Sequence, residues 1–95
     1  MKALIGGKVY DTDTAIQIAH DRYWDGHNWE RSGRNNYLYR TKKGNYFSHF
    51  VTCWQGERDR LVALSPKEAQ NLYEELPEHE VEPSEAFPGL DIQDA

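Results

Sequence analysis

The chain has 95 residues, 28% of them charged, 38% hydrophobic and 13% aromatic, with a formal charge of −5. That is one small domain with room for a single core, rich enough in aromatic side chains to exclude wholesale disorder. No apolar stretch approaches the about 20 residues of a membrane span, Met1–Lys8 has no signal-peptide run, and the lone Cys53 can make no internal disulfide, so the protein is expected to be cytoplasmic with no membrane partner.

The charge is divided along the chain. Residues 1–76 carry a balance of +1, the stretch 31–60 a balance of +5, and Pro77–Ala95 a balance of −6 with no base at all. The expected organisation is a single α+β domain over residues 1–76 followed by an acidic C-terminal tail over 77–95. A basic centre beside an acidic end reads either as a solvated surface with a solubilising tail or as a tail that competes for whatever binds the basic surface.

Gly6-Gly7 and Lys8-Val9-Tyr10 read as a short extended entry. Asp11 or Thr12 can cap a helix from about Asp13 to Arg22, with Ile16, Ala19 and Tyr23 at i, i+3, i+7 as its apolar stripe. Tyr23–Asn36 is a long connection rich in Gly, Asn and charge, and Trp24 and Trp29 are expected to pin it as an ordered loop. Tyr37–Lys42 and Asn45–Trp54 flank Lys42-Lys43-Gly44, where Gly44 can close a bulged type I turn. With Thr41 opposite Asn45, alternation places Tyr37, Tyr39, Phe47, His49, Val51 and Cys53 on one face, expected to be the core. Leu38, Arg40, Tyr46, Ser48, Phe50, Thr52 and Trp54 fall on the other.

After a polar turn at Gln55–Arg60, Leu61–Leu64 makes a third strand of this antiparallel set. Ser65-Pro66-Lys67-Glu68 is a capping box with proline at the first helical position. It opens a helix whose Ala69, Leu72, Tyr73 and Leu76 share one side until Pro77 ends it. Val81, Phe87, Leu90 and Ile92 punctuate the acidic stretch, which either docks through them or stays mobile. The order is β-α-β-β-β-α, a three- to four-stranded antiparallel sheet with two helices and a tail.

No catalytic or metal motif stands out. His20, His27, His49 and His79 lie on separate elements, so no metal and no cofactor are expected. An enzymatic reading keeps Asp25, His27, Glu30 and Glu57 as loop groups that could converge. Binding has more support: Trp29, Glu30, Arg31, Arg34, Arg40, Lys43, Trp54 and Arg58 combine the aromatics and arginines that anchor interfaces, and they form the expected contact set. A protein partner is expected first. Nucleic acid is the alternative, gripped by the basic aromatic hairpin with the acidic tail as internal competitor.

KVYDTDTA, WDGHNWERSGRN, LYRTKKGNYF, WQGERD, LSPKEAQNLYEELPEHEVE and EAFPG together resemble a group of small uncharacterised bacterial proteins also met on phages and mobile elements, over nearly the whole chain. KVYDTDTA and LYRTKKGNYF are also similar to elements of a wider set that includes anti-CRISPR-type proteins. The first likeness implies that the tryptophan loops are fixed features. The second implies a non-enzymatic inhibitor of a defence or nucleic-acid-handling complex.

Overall fold

The computed structural model describes residues 1–21 and 34–90. The fold is α+β, and the described residues form two strands in one antiparallel sheet, five in another and two short helices.

The chain starts with a hairpin, β1 (Lys2–Ile5) and β2 (Lys8–Asp11), in which Ile5 pairs with Lys8 across Gly6-Gly7. Both glycines have positive φ, 58° and 80°, as a two-residue type I′ turn requires. The extended entry thus turns back on itself.

The five-stranded sheet contains β3 (Ile16–His20), β4 (Arg34–Arg40), β5 (Tyr46–Thr52), β6 (Arg60–Leu64) and the two-residue β7 (Glu78–His79), in the order β6-β5-β4-β3-β7, all antiparallel. The helix expected from Asp13 to Arg22 is not formed, and Ile16–His20 is a strand instead. The pattern misleads for a physical reason. A register shift between Gln17 and Ala19 inserts a bulge, so the consecutive Ile18 and Ala19 both enter one core cluster, at 1% and 0% exposure, which breaks the strand's two-residue rhythm.

The hairpin between β4 and β5 has the register that its turn dictates. Thr41 N–H donates to the Asn45 carbonyl at 2.8 Å, Arg40 pairs with Tyr46, and Gly44 takes φ 88°. Ser65 caps α1 (Pro66–Glu75) by accepting from the Glu68 amide at 3.1 Å, and the Glu68 carboxylate accepts the Ser65 amide at 2.9 Å. Neither motif needs the rest of the protein.

The core lies on both faces of the sheet rather than on the single face expected. On one side, Leu38 and Tyr46 pack with Ala69 and Tyr73 of α1. On the other, Tyr39 and Phe47 pack with Tyr10, Ala3 and Ile5 of the β1–β2 hairpin, the Tyr39 and Phe47 rings stacking at 5.1 Å. Three layers result, and a fully buried Phe47 or Leu38 stabilises them by about 1.5–3 kcal/mol. Cys53, expected among the core residues, is exposed, because β5 ends at Thr52 and the chain leaves the sheet there.

The acidic stretch docks as far as it is described. The Tyr46 hydroxyl donates to the Ala86 carbonyl at 2.6 Å and the Tyr73 hydroxyl to the Val81 carbonyl at 2.7 Å. Phe87, just past α2 (Pro83–Ala86), is 6% exposed, stacked on Tyr46 at 5.1 Å and edge-on to Tyr73 at 5.5 Å. At the sheet edge the Glu80 amide donates to the Ile18 carbonyl, and the Glu80 carboxylate sits 2.7 Å from His20 Nε2. No helix among the described residues is long and apolar enough to cross a membrane.

Candidate contact surface

Where β4 begins and β5 ends, Arg34 pairs with Thr52, so the first residue of one strand faces the last of its neighbour. The loop leaving Thr52 must turn back to start β6 at Arg60, and its polar side chains bond to one another. Thr52 donates its hydroxyl to Glu57 at 2.6 Å and accepts the Trp54 amide at 3.1 Å. Its own amide donates to the Asp59 carboxylate at 2.9 Å, and the Glu57 amide donates to the Trp54 carbonyl at 3.2 Å. A loop tied at both ends in this way holds its aromatic residue in place.

Glu57 is the hub. Arg34 donates to it through Nε at 3.0 and 3.2 Å and through Nη2 at 2.6 Å, a forked pairing that fixes the guanidinium plane. These bonds, with that from Thr52, hold the Glu57 carboxyl at about 2, well below the usual carboxylate range, and the same pairing pushes the Arg34 guanidinium above its ordinary value. The Arg34 guanidinium carbon lies 5.3 Å from the centre of the Trp54 ring, and Trp54 is 51% exposed. Nearby, the Arg60 guanidinium carbon lies 4.4 Å above the Phe50 ring. Two arginines therefore lie against aromatic rings at one end of the sheet, and Arg58 is exposed in the loop between them.

The structure divides the expected contact set. Arg34 and Trp54 meet, with Arg58 in the same loop. Arg40 and Lys43 sit at the far end of β4, six residues along the strand or about 20 Å away. Trp29, Glu30 and Arg31 lie outside the described residues, as do Asp25 and His27 of the enzymatic alternative. The outward hairpin face imagined for nucleic acid is interrupted, because Tyr46 is buried beneath α1 and Phe87. Glu57, kept in the enzymatic alternative as a loop carboxylate, pairs with Arg34, and nothing local in the sequence indicates that pairing across 23 residues.

Elsewhere, a stack runs across three strands, with the His20 and Tyr37 rings 5.9 Å apart and those of Tyr37 and His49 6.1 Å apart. His49 Nε2 is buried with no hydrogen-bond partner among the described residues, and burial pushes its imidazole below the usual value. Among the described residues no three His, Cys, Asp or Glu side chains converge as metal ligands. Compared with protein-family models, with curated proteins and with solved structures, the chain matches none.

Proposed function

We propose that this is a non-enzymatic binding protein that grips a protein partner with the Arg34–Trp54 end of its sheet. The observation that carries the reading is the Arg34 guanidinium, forked onto Glu57 and lying against an exposed indole. Tryptophan and arginine are the residues whose truncation most often costs an interface several kcal/mol, and side chains already held in place lose little freedom on binding. Arg58 in the same loop and Arg60 at the start of β6 add exposed cations at this end of the sheet, so the complementary surface offers an apolar pocket for Trp54 flanked by carboxylates. The resemblance to anti-CRISPR-type proteins makes a defence or nucleic-acid-handling complex the first partner to try.

The Arg60–Phe50 contact favours a second reading, in which a single-stranded nucleic acid stacks at the same end. Affinity capture with the full chain, followed by mass spectrometry and nucleic-acid detection, separates the two. A protein captured by the wild type and lost with both Trp54→Ala and Arg58→Glu supports the first reading. Nucleic acid lost with the same variants supports the second, and a captured set that neither variant changes overturns both.

A further inference from the structure

At the opposite end of the sheet, the Gly6-Gly7 turn of the small hairpin and the Lys42-Lys43-Gly44 turn of the large one lie side by side and enclose a recess of about 490 Å3. Lys8, Asp11 and Thr14 line it from one side, and Thr41, Lys42 and Lys43 from the other. Three of the chain's five lysines meet here in a protein of formal charge −5. Lys8 and Lys42 are far apart in sequence, and the fold alone joins them: Lys8 Nζ donates to Asn45 Oδ1 at 3.5 Å.

The charges around the recess do not cancel. Asp11 is the one carboxylate among its described lining residues, and Asp11 Oδ1 already accepts the Asp13 amide at 3.0 Å. The ion pairs among the described residues, His20–Glu80 and Arg34–Glu57, involve none of these lysines. Three lysines against one carboxylate around a concave surface create a positive potential that an anion relieves. The recess falls within the about 300–1,000 Å3 of small-molecule sites and is roomier than a lone inorganic anion needs. Among the described residues no aromatic side chain lines it to offer a face on which a base could stack. Lysine presents a point charge rather than the planar fork of arginine, so such a site selects for charge density rather than for the planar shape of a carboxylate.

We infer that this recess binds a small molecule through a multiply charged phosphate group such as a diphosphate. The rest of the ligand projects from the open side, away from the Arg34–Trp54 end.

The test is titration of the full-length protein with inorganic pyrophosphate at low salt, followed by amide NMR. The expected result is saturable shifts at Lys8, Lys42, Lys43 and Asn45, with affinity falling in the order pyrophosphate, phosphate, sulfate, acetate. The double variant Lys42→Gln/Lys43→Gln and, separately, Lys8→Gln should each weaken pyrophosphate by about tenfold or more, while Trp54→Ala leaves it unchanged. Two variants in different turns guard against one of them disturbing its own hairpin. Shifts that do not saturate, an affinity the lysine variants do not change, or acetate binding as well as pyrophosphate would overturn the inference. So would an oligodeoxythymidine that binds more tightly than pyrophosphate through these lysines, which would mark the recess as a backbone groove for nucleic acid.

Discussion

The two ends of the central sheet treat their cations in opposite ways. At the Arg34 end the guanidinium is forked onto Glu57 and laid against Trp54, so its charge is largely matched by one carboxylate and what it offers a partner is a fixed shape. At the Lys42 end three lysines line a recess with one carboxylate among its described lining residues, so what is offered is field rather than shape. The difference follows from residue type: arginine's planar fork is ordered by a single carboxylate, whereas lysine's flexible stem leaves its charge available to solvent or to an anion. A sheet between them about 20 Å long lets one small domain carry both without interference.

The largest effect that bears on this contrast is loss of the sheet itself. Leu38 is fully buried in β4, between the two ends, and Leu38→Ala should cost about 2–5 kcal/mol. If one cooperative unit holds both ends, the Trp54 and Lys43 amides will lose their native signals at the same, lower urea midpoint. Separate midpoints would show that the ends are independently stable. Next in size, Ser65→Ala removes the side-chain half of the capping box and should cost about 1 kcal/mol in urea denaturation while leaving pyrophosphate affinity unchanged, since no residue of α1 lines the recess.

Acid should act unequally along the sheet. The His49 imidazole is held below its ordinary value of 6.5, so the unfolded chain takes up a proton first. Stability is full above about 6.5 and is lost as pH falls through that value toward the lowered one. His49→Phe, which also removes a buried nitrogen without a described partner, should flatten this part of the pH profile in thermal melts. The smallest change in overall stability belongs to Glu57, because its pairing is exposed. Its carboxyl titrates at about 2 against an ordinary 4.5, so the Arg34–Glu57 contribution is complete above about 4.5 and disappears as pH drops to about 2. Carboxyl NMR should record that low value in the wild type and a return toward the ordinary range in Arg34→Gln. An unchanged Glu57 titration in that variant would remove the fork from the account.

Local chemistry was legible wherever it was complete within a few residues. Ser65-Pro66-Lys67-Glu68 caps its own helix, and Thr41 and Gly44 set the register of their own hairpin, so both could be read without knowledge of the rest. Ile16–His20 could not. Five residues with apolar side chains at irregular intervals satisfy a helical stripe as well as a bulged strand, and pairing with β4 and β7 decides between them. Gly6-Gly7 reads as part of an extended entry, because Lys2-Ala3-Leu4-Ile5 lacks the polar and apolar alternation that would announce a hairpin.

The contact residues show the same division. The sequence by itself determined the residue types available for binding, a tryptophan- and arginine-bearing middle segment and an acidic end, together with one capped helix and one hairpin turn. Only the tertiary structure decided that Arg34 joins Trp54 and Glu57 rather than Arg40 and Lys43, and that Lys8 joins Lys42 and Lys43. The reason is range: capping and turn bonds close over three or four residues, whereas these sites are made by strand pairing and by the packing of one hairpin on another, across 23 residues in one case and 37 in the other.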